Sequence, residues 1–198
     1  MKKKWFTWSN ISNAFFVVFI LAMMFIPEVK AWTIQGLMKV GLFQADVPET
    51  DHDASSAFRI PSGVIFSDAD GRTIDLAAQK GKVIFINFWA TWCPPCIAEM
   101  PSINGLYHTF KDNKDVLFIM ADMDDDFAKA EAFMKKKGLD LPVYSVNALP
   151  RDMYTGTLPT TVIIDQSGNM VFHHEGTADY SNPKIKEFIQ KLLATGDN

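Results

Sequence analysis

Apolar residues dominate the start of the chain: between Ile11 and Ile26 only Ser12 and Asn13 are polar. Three lysines (Lys2 to Lys4) and an aromatic cluster (Trp5, Phe6, Trp8) precede this run. As a helix, residues 5–26 would span roughly 33 Å at 1.5 Å per residue, about the thickness of a bilayer's hydrocarbon core. Lysines at its start would stay cytoplasmic and leave the remainder outside. Ile34, Leu37, Met38, Gly41 and Leu42 then recur at helical spacing, which predicts an amphipathic segment beside the membrane. A cleaved secretory signal is the competing reading, with Ala14 to Ile26 as its core and Val29-Lys30-Ala31 as a cleavage site. Both readings export the rest of the chain. Residues 44–57 turn polar and read as a solvated linker between the 1–43 head and a 58–198 domain.

Within 58–198 the pattern alternates between strand and helix. Val64 to Ser67 and Arg72 to Ile74 flank Asp68-Ala69-Asp70-Gly71 as a hairpin. Lys82 to Phe88 is apolar except for Lys82 and Asn87, as a central strand buried on both faces should be. A helix is predicted from Pro94 to Phe110, a strand over Val116 to Met120, and a helix over Phe127 to Lys137 closed by Gly138. Leu141 to Ser145 reads as a short strand, and Thr161 to Asp165 with Met170 to His174 as a second hairpin. Pro183 opens a last helix whose Ile185, Phe188, Ile189, Leu192 and Leu193 face a core. This order predicts an α/β fold: a mixed central sheet flanked by helices.

Charge changes the picture along the chain. The whole carries −4, yet residues 1–43 hold five lysines against one acid, leaving 14 basic and 22 acidic side chains in the rest. A basic, greasy head precedes an acidic body, and no overall basic field exists to attract nucleic acid. At 198 residues, the chain suits one domain with an appendage.

Only two cysteines are present, Cys93 and Cys96, so a disulfide scaffold is excluded. A Cys-x-x-Cys between a buried strand and a helix places the first sulfur beside free backbone N–H groups. The helix dipole there favours thiolate, which makes Cys93 the nucleophile and Cys96 the resolving thiol. Structural zinc would need four ligands, and His52, His108, His173 and His174 show no finger spacing. Haem attachment would need His after the second Cys, where Ile97 stands. The redox-active pair therefore requires no cofactor. Asp122 to Asp126 lacks the later Gly and Glu of a calcium loop and is expected to cap the following helix.

Phe88-Trp89-Ala90-Thr91-Trp92-Cys93-Pro94-Pro95-Cys96, followed by Ala98-Glu99-Met100-Pro101, resembles the TlpA/ResA-like branch of the thioredoxin superfamily. Leu158-Pro159-Thr160-Thr161, with Ile164-Asp165 and Gly168, is similar to that branch's cis-proline loop and hairpin. The resemblance, over about Pro61 to Leu193, implies a thioredoxin fold with an extra helix–strand insert at Phe127 to Ser145. It implies an exported, membrane-tethered thiol–disulfide oxidoreductase on the periplasmic side. Such enzymes most often work as reductases, taking electrons from a membrane thiol donor and passing them to exported proteins, for instance in cytochrome c maturation. It further implies that Pro159 is cis and faces the disulfide, and that the Leu158 main chain pairs with substrate. Trp92 is expected to shield the sulfurs and offer partners an apolar contact, while Trp89 joins the core and Pro101 kinks the helix.

Glu99 shares a helical face with Cys96, three residues earlier. It is expected either to exchange protons with Cys96 or to sit there as an acid favoured by the helix N-terminus; the resemblance supports the first. Asn87 stands where ordinary thioredoxins carry a buried Asp, so no proton can be handled there; its other reading is a hydrogen bond to a neighbouring strand or loop. Two rival functions stand beside this one. A peroxiredoxin would need Pro-x-x-x-Thr-x-x-Cys, which Phe88 and Thr91 do not supply. A tethered Cu(I) carrier suits soft thiolates, but related copper chaperones space their cysteines more widely and add a distant His.

Overall fold

The computed structural model describes residues 8–39, 43, 58–124 and 126–195. The expected linker, the N-terminal lysines, Trp5, Phe6, Gly41 and Leu42 lie outside the described residues. Two helices come first, α1 (Trp8–Phe25) and α2 (Pro27–Lys39), and a 101° bend separates them. Of the helix expected over 5–26, α1 covers 18 residues, about 27 Å, and residues 5–7 lie outside the described residues. Pro27 at the start of α2 explains the break: it supplies no N–H, and it disfavours helical backbone at Ile26 before it. Among the described residues no single helix is long and apolar enough to cross a membrane, although the bent pair together has the composition.

The strands follow as β1 (Ile65–Ser67), β2 (Thr73–Asp75) and β3 (Val83–Trp89). Between β2 and β3, Leu76–Ala78 forms a 3₁₀ turn absent from the sequence expectation, capped by the Asp75 carboxylate on the Ala77 N–H. Then come α3 (Pro94–Phe110), β4 (Val116–Asp122), α4 (Phe127–Lys137), β5 (Val143–Val146), β6 (Thr160–Ile164), β7 (Met170–Glu175) and α5 (Pro183–Thr195). The seven strands form one mixed sheet ordered β2-β1-β5-β4-β3-β6-β7. Parallel β3–β4 and β4–β5 pairs each enclose a crossover helix, whereas β6 runs antiparallel to both β3 and β7. The α4–β5 unit inserts its strand between β4 and the β1–β2 hairpin.

Local chemistry sets these boundaries. Asp126 accepts the Lys129 N–H at 3.2 Å to start α4, and Gly138 ends it at φ 66°, a left-handed backbone that suits glycine. Lys135, Lys136 and Lys137 in the last turn complement the dipole.

All seven β3 residues are buried, and their alternation divides the core. Ile84, Ile86 and Phe88 pack with Phe66, Leu76, Met153 and Val162 on one face. Val83, Phe85 and Trp89 face Met100, Ile103 and Phe110 of α3, and Ile185 and Phe188 of α5. Asn87, at an odd position, shares this second face and so points a polar side chain into an apolar layer.

The amphipathic segment meets protein. Ala31 and Met38 of α2 are buried against Ile97 and Ala98 of α3, with Ile34 alongside. Of the stripe expected beside the membrane, Ile34 and Met38 therefore lie on the helix that carries the cysteines, whereas Leu37 is exposed. Trp32 stays exposed.

Candidate active site

β3 ends at Trp89 and α3 begins at Pro94, so Cys93 sits where extended chain becomes helix. Its backbone is extended (φ −95°, ψ 100°), and its sulfur takes the N-cap position, accepting the Cys96 N–H at 3.2 Å. A cysteine thus does what Ser or Asp usually does at a helix start, and charge on this sulfur is favoured by the N–H and the dipole. Pro94 and Pro95 fill the first two helical positions, where an N–H would have no acceptor. Cys93 and Cys96 are joined as a disulfide with Cα atoms 5.3 Å apart. Cys96 is fully buried and Cys93 nearly so, while Trp92 beside them is 60 % exposed. Trp89 lies in the core, its ring against Phe133.

The loop before Cys93 is pinned from the neighbouring strand. Asp124, just beyond β4, accepts the Thr91 N–H at 2.6 Å and the Thr91 hydroxyl at 3.1 Å, and pairs with Lys129 at 3.1 Å. Burial opposes its charge, but these donors outweigh it and hold the carboxyl below the usual carboxylate range. Parallel pairing of Trp89 with Asp122 brings the two loops together. The Asp122–Asp126 run was expected only to cap a helix, a role that Asp126 fills; the grip of Asp124 on Thr91 is additional.

The opposite wall comes from β6. Antiparallel register sets Thr160 against Phe88, so the preceding residues, Leu158 and Pro159, lie at the same sheet end as the disulfide. The Leu158–Pro159 peptide is cis. Pro159 is buried and its carbonyl accepts the Gly176 N–H at 2.8 Å. Leu158 packs against the core layer that includes both cysteines.

Beneath the sulfurs lies a buried polar cluster. Glu99, one turn beyond Cys96, is 0 % exposed. Its Oε1 accepts Asn87 Nδ2 at 2.7 Å and its Oε2 accepts the Ala178 N–H at 3.2 Å. Burial pushes the carboxyl up to about 8, with the Asn87 and Ala178 hydrogen bonds pulling the other way. Asn87 also donates to Thr161 Oγ1 at 2.9 Å, and the Tyr180 hydroxyl donates to the same oxygen at 2.5 Å. The Ser102 hydroxyl links the Glu99 carbonyl to the Tyr180 N–H. Asn87 thus bonds a helix carboxylate as well as a strand hydroxyl, which is more than the strand or loop contact anticipated. Thr161, Ala178 and Tyr180 were not foreseen, since no local pattern marks residues that meet Glu99 or Asn87 only across the fold.

A dithiol–disulfide pair beside a carboxyl that titrates near neutrality can move electrons and protons together. Among the described residues no three His, Cys, Asp or Glu side chains gather where a metal ion could sit.

The Redoxin family matches residues 53–189. The thiol-disulfide oxidoreductase ResA of Bacillus anthracis is 38% identical over 131 residues, covering 65% of this chain and 73% of the relative. ResA of Bacillus cereus is 34% identical with the same coverage. The thioredoxin domain of a thiol-disulfide oxidoreductase from Bacteroides vulgatus superposes with a TM-score of 0.54 at 20% identity, over 67% of this chain and 96% of that one, a likeness of fold. Matches over both the motif strand–helix and the cis-proline hairpin leave one assignment: the chain belongs to the Redoxin family, as a TlpA/ResA-like thiol–disulfide oxidoreductase of the thioredoxin superfamily.

Proposed function

We propose that this oxidoreductase is exported, held at the outer face of the cytoplasmic membrane by its N-terminal head, and acts as a protein-disulfide reductase. The observation that carries the chemistry is Glu99, buried next to Cys96 on one helical face and raised to about 8. Reduced Cys93, as thiolate at the N-terminus of α3, attacks one sulfur of a substrate disulfide. The substrate S–S bond breaks, a mixed disulfide forms, and the departing substrate thiolate takes a proton from water. Cys96 then passes its proton to the Glu99 carboxylate and attacks Cys93 Sγ. The Cys93–Cys96 bond forms, the second substrate thiolate leaves, and two electrons have moved to the substrate.

In the disulfide form a group titrating near 8 is about nine-tenths protonated at pH 7. Glu99 therefore stands ready to protonate the Cys96 thiolate released when a membrane thiol donor attacks Cys93. Exposed Trp92 supplies an apolar contact to the protein substrate. The Leu158 main chain, which makes no hydrogen bond among the described residues, pairs with an extended substrate segment held against Pro159. The redox-active pair is the whole prosthetic equipment. Candidate substrates are exported proteins bearing disulfides, apocytochrome c awaiting haem among them.

Cys96→Ser tests this reading. Mixed disulfides on Cys93 should accumulate in cells, and mass spectrometry should identify exported partners; recovering none would overturn it. Equilibration with glutathione tests direction, and a potential around −120 mV would make the enzyme an oxidant instead.

A further inference from the structure

β3 is apolar from Val83 to Trp89 except at Asn87, which is 0 % exposed. Packing alone does not call for an amide here, because its Oδ1 is buried without a partner. The fold uses the nitrogen. Nδ2 carries two hydrogens and donates to Glu99 Oε1 at 2.7 Å and to Thr161 Oγ1 at 2.9 Å. Thr161 stands opposite Asn87 in the β3–β6 register, so strand pairing fixes one end of this bridge. The other end meets the carboxyl that α3 carries one turn beyond Cys96. Oε2 of that carboxyl takes the longer bond, 3.2 Å from the Ala178 N–H.

We propose that Asn87 is a positioning residue for Glu99: from the central strand it fixes the carboxyl and, by donating to it, favours the charged form that takes the Cys96 proton. This deepens the proposed function and rests on Glu99 being that proton acceptor. An N–H donor stabilises a carboxylate more than a neutral acid, so the Asn87 bond opposes burial, which by itself favours the acid. Without the amide, Glu99 keeps its proton to higher pH and less of it is ready as a base when Cys96 must ionise. Asn87 cannot itself gain or lose this proton; it acts through its neighbour. Being fully buried, it has no surface to offer a substrate, so attack by Cys93 should not depend on it.

Ionisable groups of the surrounding elements are few on this side. Tyr180, before α5, is pushed well above its ordinary range by burial and by Glu99 and stays neutral. α5 itself turns Ile185, Phe188 and Ile189 to this layer. His174 of β7 lies opposite Thr161, and Asp122 of β4 lies beside Trp89. Glu28 of α2 and Lys137 of α4 line a groove with Met100 and Pro101.

The test follows reduced full-length protein with dithiobis-nitrobenzoate. Cys93 thiolate attacks the reagent disulfide and releases one nitrothiobenzoate. Cys96 then loses its proton to Glu99 and attacks Cys93 Sγ, which closes the protein disulfide and releases the second. The rate of each release against pH is the readout. Glu99→Gln should remove the limb of the second release that belongs to Glu99. Asn87→Leu and Asn87→Val, both apolar like the rest of β3, should move that limb upward by roughly one pH unit. On its acid side the second release should slow by about threefold to tenfold, while the first keeps its rate. In the Glu99→Gln background neither Asn87 variant should change the profile further. Ser102→Ala, which touches the Glu99 carbonyl but not its carboxyl, should leave the limb in place, as should His174→Gln. A limb unmoved in both Asn87 variants would overturn the inference alone. So would equal slowing with and without Glu99, equal movement in Ser102→Ala, or a limb that follows His174. A profile unchanged by Glu99→Gln would instead remove the proton-acceptor reading beneath it.

Discussion

Two regions of this chain turn the usual distribution of side chains inside out. Between the sheet and α3 a carboxyl, Glu99, is 0 % exposed, in the layer built from Phe85, Met100 and Ile103. In α1, Phe15 and Phe25 are 76 % and 75 % exposed. Burying a carboxylate without a counter-charge is expensive, and here burial is met by two hydrogen bonds and by protonation. A helix apolar on every side finds no such relief in water. The first inversion is thus completed within the fold, whereas the second asks for a surrounding medium, which the proposed membrane supplies. Between them, α2 is ordinary: Ala31 and Met38 inward, Trp32 outward.

Either end of this contrast can be broken. The largest effect is expected in α1, where Phe16→Asp with Phe19→Asp should abolish sedimentation with membranes altogether while exchange with a soluble disulfide changes less than about twofold. Retained membrane association would show that α1 is not the anchor. At the other end, Glu99 makes stability depend on pH. The folded disulfide form keeps its proton up to about 8, and the unfolded chain loses it near 4.5. Between these values the folded state binds more protons, so stability should fall as pH rises, by on the order of a few kcal/mol. Denaturant titrations at pH 5 and pH 8 should show this, and Glu99→Gln should flatten it. Next, Met38→Ala should cost about 1–2 kcal/mol, less than a central core truncation, and deprotect α2 amides in hydrogen exchange. Unchanged protection would place α2 with α1 rather than with the folded domain. Smallest, Asp124→Asn should weaken the grip on Thr91 by about 1 kcal/mol, visible as faster exchange of the Thr91 amide.

How far the sequence carried depended on the range of the interactions. Local signals placed α3 at Pro94–Phe110 and α4 at Phe127–Lys137 with its Gly138 stop, because caps and prolines act on adjacent residues. Cys93, Cys96 and Glu99 were legible for the same reason, three residues apart along one helix. The cis peptide before Pro159 came from resemblance alone. What stayed hidden is long-range: Thr161 and Ala178 lie 74 and 79 positions from their partners Asn87 and Glu99. Asp124 reaches Thr91 only because β3 and β4 run parallel. The α2 stripe was visible, but an amphipathic pattern names a face and not what covers it; α3 covers its Ile34 and Met38, while Leu37 stays exposed.

The proton on Glu99 can be watched directly. Carbon NMR of its side-chain carboxyl in the disulfide form, followed from about pH 3 to about pH 10, should show a single proton leaving near 8. Release near the ordinary 4.5 would mean that Glu99 is already ionised under working conditions and holds no proton for the Cys96 thiolate set free when the disulfide is reduced.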